Sequence, residues 1–387
     1  MNARPQALAL VGDDSGPRCE DDALVGVDAD YEIVSRVQSM AYERTVPLNV
    51  TLELTQNCNI RCLHCYNFDR DEPRRAPAAA CGDGQGKPEL SLAEVLQIME
   101  QLRAAGTLFL GLTGGEVMTY PHLFAVLDRA RELNFAVQLL TNGTMLQPGV
   151  AARLATYKNL LGASISIYGA TPGVHDGITQ IPGSWRRTWD GVRRLRQLGL
   201  SVRLKFIVMR QNAHEVAAMR AAAEGEGFPY LVDVTITPRH DGTRGSLETR
   251  VDDGQLDELY RGPLRDMVRR GPRQMTEARF PCNCARGNCA ISSHGDVYPC
   301  ISVPWSAGNV REQPFIDIWR TSPVFQRIRG LRIADYPACA PCEDKPYCNR
   351  SRGAALNYSG SYTGTDPFVC RTAAITRAIA TESPASD

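Results

Sequence analysis

The chain has 387 residues, 43% of them hydrophobic, and carries 43 Lys plus Arg against 43 Asp plus Glu. That length allows two buried cores, and a formal net charge of zero leaves no overall attraction for a polyanion, so no nucleic-acid partner is expected. The opening "MNARPQALALVGDD" lacks the features of a secretory signal, and no window reaches the roughly 18 apolar residues of a membrane span, so a cytoplasmic protein without a membrane partner is expected.

An N-terminal segment, 1–45, precedes the first β-rich run, "LNVTLEL" at 48–54. The stretch 68–89 is rich in proline, alanine and glycine and reads as a long irregular loop. The next segment, "SLAEVLQIMEQLRAAG", opens with Ser91 and Glu94 in capping-box spacing and stops at Gly106, which predicts a helix. Strand patterns follow at 107–112, 136–140, 163–167, 201–209 and 231–237, separated by helical patterns near 121–133, 148–158, 184–198 and 213–224. In the fourth of the five helical patterns, "WRRTWDGVRRLRQLG", Trp185, Trp189, Val192 and Leu195 face inward and the arginines face solvent. Residues 241–275 read as a connector with a short helix in "DDGQLDELYRGPLRDMVRR". Six strands alternating with five helices predict a parallel sheet, curled or open, whose chemistry lies at the carboxyl ends of the strands.

Thirteen cysteines in a reduced compartment point to metal ligation in place of disulfides. Cys58, Cys62 and Cys65 stand together just past the first strand, and Cys282, Cys284, Cys289, Cys300, Cys339, Cys342, Cys348 and Cys370 fill the C-terminal part. Cys19 and Cys81 stand apart, and Cys81 reads as a bystander thiol or a contact to substrate or cluster. Three thiolates on a four-iron, four-sulfide cluster leave one iron open to a small molecule. A zinc site completed by a distant ligand, with His64 the nearest, is the alternative for the triplet, and a zinc ribbon is the alternative for the later cysteines.

The triplet "CNIRCLHC" and the later "LTGGEVM" resemble the cysteine and GGE motifs of the radical S-adenosylmethionine (SAM) enzymes. The resemblance implies an α/β fold, a partial (β/α)6 TIM-type barrel over 46–240, with Cys58, Cys62 and Cys65 on the SAM-binding cluster. It further implies that Gly114, Gly115 and Glu116 receive the methionyl ammonium, with Asn142 near SAM and Ser166 on its polar groups. Lys205 and Arg239 face either the barrel or solvent.

"HGDVYPC" and "CAPCEDKPYC" with the late Cys370 resemble the SPASM extension, a cysteine-rich domain with two auxiliary four-iron clusters, placed at 276–375 before a tail at 376–387. The family form usually has a further cysteine, a ligand of the first auxiliary cluster, where this chain has Arg352. That site then either recruits Cys282 or Cys284 or stays open at one iron; on the first, favoured option the sets are Cys282, Cys284, Cys289 and Cys300 for one cluster and Cys339, Cys342, Cys348 and Cys370 for the other, giving three [4Fe-4S] clusters with SAM as cosubstrate. The resemblance implies SAM cleavage to a 5'-deoxyadenosyl radical and oxidative modification of a ribosomally made precursor peptide, as a thioether, C–C or C–O cross-link or another side-chain oxidation. The partners it implies are a flavodoxin- or ferredoxin-type reductant and a separate peptide-recognition protein. An oxidase or mutase acting on a small molecule or cofactor precursor, and a non-catalytic iron–sulfur electron carrier, are the alternative functions.

Overall fold

A computed structural model describes residues 31–67, 87–268 and 282–382. Cys19, Cys81 and most of the proline- and alanine-rich loop lie outside the described residues. Helix α1 (Tyr31–Arg44) leads into β1 (Asn49–Glu53), followed by α2 (Leu92–Ala104), β2 (Phe109–Thr113), α3 (Leu123–Glu132), β3 (Ala136–Thr141) and α4 (Pro148–Leu154). Then come β4 (Leu160–Ile167), α5 (Pro172–Thr179), α6 (Ser184–Gln197), β5 (Val202–Ile207), α7 (Val216–Glu226) and β6 (Tyr230–Asp233). The C-terminal part holds α8 (Asp253–Arg261), β7 (Asn288–Ile291), β8 (Asp296–Tyr298), β9 (Gly308–Asn309), α9 (Phe315–Thr321), α10 (Pro323–Gly330), α11 (Arg352–Ser359) and α12 (Pro367–Thr381).

The six expected strands form one parallel sheet in sequence order. Beyond them, β7 pairs parallel with β1, and β8 and β9 continue antiparallel, so a single sheet of nine strands runs β6-β5-β4-β3-β2-β1-β7-β8-β9. The cysteine-rich hairpin thus covers the edge of β1 that the barrel strands leave open, which removes an exposed edge beside the cysteine loop.

Side chains alternate across the sheet with period two. Val50, Leu52, Leu110, Leu112, Val137, Leu139, Ile165 and Leu204 are buried in one core cluster with Val95, Met99 and Leu102 of α2, Val126 and Leu127 of α3, and Trp189, Val192 and Leu195 of α6. Burying each such side chain is worth about 1.5–3 kcal/mol, which fixes that face against the helices. By register, Thr51, Gly111, Gln138, Ser164, Ser166, Lys205 and Asp233 share the opposite face. That second face is polar.

The differences from the sequence reading have local causes. Ser91 and Glu94 form the expected reciprocal cap on α2. Strand β6 stops at Asp233, short of 237, because the Asp233 carboxylate accepts the Thr235 N–H at 2.7 Å and turns the chain. Helix α4 stops at Leu154, short of 158, and just past it the Thr156 hydroxyl donates to the Arg153 carbonyl. Helix α5 was not expected: Gly173 and Gly177 break its periodicity, although Pro172 stands at its first position, where proline is favoured. Among the described residues no helix is long and apolar enough to cross a membrane.

Candidate active site

The cysteine loop after β1 is stitched to the loop after β2 by backbone hydrogen bonds. Gly115 N–H donates to Thr55 O at 2.7 Å, and Glu116 N–H donates to Asn57 O at 2.8 Å. This approach requires glycine. Gly114 has φ +143°, and a Cβ there would lie 2.2 Å from Thr55 O; at Gly115 it would lie 2.3 Å from Asn57 O. The two glycines therefore set the position of the chain that runs into Cys58.

Glu116 is 1% exposed, and its carboxylate accepts from Thr141 Oγ1 at 2.5 Å, Asn142 N at 2.7 Å and Met118 N at 3.0 Å. Burial raises its pKa, and the donations from Thr141, Asn142 and Met118 oppose that rise. Both oxygens are thus engaged by the protein itself. The carboxylate therefore braces the β2 and β3 loops, and with more lone pairs than these three donors use, the expected contact to a methionyl ammonium stays compatible with the brace. The Asn142 side chain is likewise occupied. Its amide donates to Asn59 Oδ1 at 2.9 Å and its oxygen accepts from Thr144, while Asn59 donates to Thr144 Oγ1 at 2.8 Å. Since Asn59 lies between Cys58 and Cys62, Asn142 latches the cysteine loop to the end of β3.

Within that loop Cys65 N–H donates to Cys62 O at 3.1 Å, a tight turn that brings the second and third cysteines together. Tyr168, buried at the end of β4, backs the turn. Burial drives its pKa well up, and Cys62 adds to the rise, while Ser166 beside its hydroxyl opposes it. His64 packs edge-on to Tyr168 with ring centroids 4.8 Å apart, and burial lowers its pKa to about 4, which keeps it neutral at pH 7. Its buried Nδ1 has no protein partner. Tyr66 packs on His240, whose backbone N–H donates to Tyr66 O at 2.7 Å, so the loop after β6 is tied to the chain directly after Cys65. The sequence motifs assign Tyr168 no part; an aromatic residue directly after a strand was the available signal.

The polar sheet face lies beneath this loop. Ser166 and Lys205 are register neighbours on β4 and β5, and the Lys205 charge lowers the pKa of buried Asp233 against the larger, opposite effect of burial. Lys205 thus faces the barrel. Arg239, 8% exposed, lies beyond β6 and donates to Thr243 Oγ1 at 3.4 Å. Glu53 ends β1 on the same face, 6% exposed, and its Oε1 has no protein partner. Burial lifts its carboxyl to about 7, with Gln56 opposing and Glu89 adding.

The C-terminal cysteines gather in two places. Cys284, Cys289 and Cys300 are buried, and Cys282 packs against the same core; Cys284 bridges to Asn288 and Ala285 N–H donates to Pro299 O at 3.3 Å, which brings both cysteine-bearing ends of the hairpin together. Cys339, Cys342, Cys348 and Cys370 crowd one another: burial first, then Cys370 and Cys339, push the Cys348 thiol up to about 12. Arg350 donates to Cys339 Sγ at 2.6 Å. Among the described residues no three Cys, His, Asp or Glu side chains converge on one ion-sized point. A four-iron cluster does not require such convergence, because each thiolate binds its own iron and the ligands stand around a volume. The glycine cradle, the orphaned His64 nitrogen, the buried thiols of Cys284, Cys289 and Cys300 and the crowded thiols of the last group fit such a group.

Residues 52–222 match the family model of the Radical SAM superfamily, and residues 282–343 match SPASM, an iron–sulfur cluster-binding domain. The AdoMet-dependent heme synthase of Methanosarcina barkeri is 27% identical over 354 residues, covering 83% of this chain and 96% of the relative. The mycofactocin maturase MftC of Mycobacterium ulcerans is 26% identical over 353 residues, covering 86% of this chain and 90% of the relative. Among solved structures, Streptococcus suis SuiB bound to the precursor peptide SuiA superposes with a TM-score of 0.62 at 17% identity, over 89% of this chain and 82% of SuiB, a likeness of fold.

Proposed function

The chain is a radical SAM protein with an iron–sulfur cluster-binding SPASM domain, and from that premise we propose that it oxidatively modifies a ribosomally made precursor peptide. The family implies SAM and a SAM-binding four-iron cluster; Cys58, Cys62 and Cys65 would hold that cluster, and the two C-terminal groups of four cysteines would hold two more. When bound and reduced, that cluster would supply the electron for cleavage of SAM to methionine and a 5'-deoxyadenosyl radical, the hydrogen-atom abstractor.

The chain's own residues do the positioning. Gly114 and Gly115 hold the cysteine loop at close backbone range, the Glu116–Asn142–Asn59 chain fixes its far side, and Tyr168 with His64 walls it against water. Ser166 and Lys205, side by side on the polar face, are suited to a carboxylate such as that of SAM. The neutral His64 adds no charge to the cluster site at pH 7. These are roles of binding, orientation and exclusion.

The observation that carries the reading is the meeting of the cysteine triplet and the glycine loop at the mouth of a polar sheet face. The peptide is supported by the maturase relative and by the fold shared with peptide-bound SuiB. A second reading, a small cofactor precursor as substrate, is favoured by the heme synthase relative. The anaerobically reconstituted, reduced protein is incubated with SAM and either a short peptide encoded beside its gene or a tetrapyrrole. A mass loss of about two hydrogens in the peptide, matched by 5'-deoxyadenosine, is expected; turnover of the tetrapyrrole with no change in the peptide overturns the first reading, and no SAM cleavage overturns both.

A further inference from the structure

At the first residue of α11, where a ligand cysteine is usual, Arg352 is 8% exposed. It does not point to solvent. With Cys282, Cys284, Arg286 and Tyr362 it lines a narrow cleft. Its guanidinium lies 5.0 Å from the Tyr336 ring centroid and 5.5 Å from that of Tyr362, and it donates to the Tyr336 hydroxyl. Tyr362 is 3% exposed, and its hydroxyl has no protein partner. Desolvation works against the charge on Arg352, yet Cys282, Tyr362, Tyr336 and Cys284 together outweigh it, and the guanidinium is held more firmly protonated than in water.

A cation this deeply buried needs negative charge beside it. The thiolates of an iron–sulfur cluster are such charge, and so is the extra electron that a reduced cluster carries. We propose that Arg352 replaces a metal ligand with a fixed counter-charge: Cys282 completes the four-thiolate set with Cys284, Cys289 and Cys300, and Arg352, with the orphaned Tyr362 hydroxyl, faces that cluster and raises its reduction potential. The direction follows from electrostatics, since a nearby positive charge and hydrogen bonds to sulfur favour the more negative, reduced state. Arg350, two residues earlier, lies 4.8 Å from the centroid of the same Tyr336 ring and donates to Cys339 of the other group, so this short stretch of chain sends a cation toward each group. Arg352 is a positioning residue in this scheme and touches no substrate.

The inference rests on the reading that the C-terminal cysteines hold clusters, and the experiment separates the two. Iron is counted in the anaerobically reconstituted full chain, and the potentials of its clusters are read by EPR-monitored redox titration in the native protein, R352Q, R352K and Y362F. About twelve irons are expected throughout; R352Q lowers the potential of one cluster, Y362F lowers the same one less, and R352K stays near the native value. About four irons in the native protein sinks the cluster reading and the inference with it. Full iron with unmoved potentials in R352Q and Y362F sinks the inference alone. A second pair covers a failure of R352Q to load: C282A loses a share of the iron that C282A/R352C regains, because the introduced thiol takes over as ligand. C282A with full iron and an unaltered EPR signal removes Cys282 from the ligand set and overturns the proposal.

Discussion

Glu116 accepts the backbone N–H of Asn142 at 2.7 Å, and through it the loop after β2 carries the loop after β3. Asn142 in turn holds Asn59, so a carboxylate outside the cysteine loop governs that loop's position. Glu116→Ala strands the Asn142 and Met118 N–H groups and the Thr141 hydroxyl in a buried site, at a cost of about 2–4 kcal/mol. The melting temperature is expected to fall, and a chelator should strip iron from the first cluster several-fold faster than from the native protein. Unchanged chelation kinetics would remove the brace from the account.

This brace shows where the sequence stopped being legible. The motif "TGGE" gave the loop and its glycines, because close backbone approach is a property of residue type. It did not give the long-range partners of Glu116, Thr141 and Asn142, which lie 25 and 26 positions away at the end of the next strand. The strands and the α2 cap were readable from local pattern, while the pairing of β7 with β1 joins segments far apart in sequence and leaves no periodic trace. Helix α5 escaped for the opposite reason: its own residues are poor helix formers and tertiary packing of His175 and Ile178 secures it.

Gly114→Ala places a methyl group 2.2 Å from the Thr55 carbonyl at φ +143°, a contact with backbone that no rotamer relieves. The expected result is loss of iron from the first cluster and at least a tenfold drop in SAM cleavage. Gly149→Ala in α4, with nothing within 4 Å of the added carbon, is the control and should leave both within error. Equal behaviour of the two variants would show that the approach of the loops is not what the glycine secures.

Glu53 gives the stability a pH dependence of defined sign. Its folded pKa of about 7 lies above the ordinary 4.5, so the native state holds a proton that the unfolded chain releases between those values. Stability from this group is present below about pH 4.5 and is lost as pH rises through 7, by about 3 kcal/mol at 1.36 kcal/mol per unit. The buried histidines His64, His175 and His240, each lowered to about 4, act oppositely: the unfolded chain takes up protons below about 6.5, so their part is lost as pH falls from there to 4. Glu53→Gln should therefore raise the melting temperature at pH 8 more than at pH 5.5, leaving the histidine-driven acid sensitivity exposed. An equal shift at both pH values would place the Glu53 proton elsewhere.

Arg250 and Asp366 join the connector to the last helix. Arg250 donates to both oxygens of Asp366, at 3.0 Å and 2.5 Å, with side-chain exposures of 11% and 0%. The same carboxylate caps α12 by accepting the Phe368 N–H at 3.0 Å, and α12 carries Cys370 within its first turns. Arg250→Ala leaves a charge buried without its counter-ion, a change worth about 3–5 kcal/mol, and frees the start of the helix that presents Cys370. The expected outcome is a selective loss: iron falls from about twelve toward about eight, while SAM cleavage without substrate persists because the triplet loop is held by the backbone of Gly115 and Glu116 and by Asn142, none of which bonds to Arg250 or Asp366. Arg250→Lys keeps the charge but loses the two-pronged fit, so it should fall between the native protein and the alanine variant. If Arg250→Ala retained all its iron, the position of Cys370 would have to be secured by the packing of Phe368, Val369 and Ala373, and the ion pair would be a stability element with no bearing on the cluster.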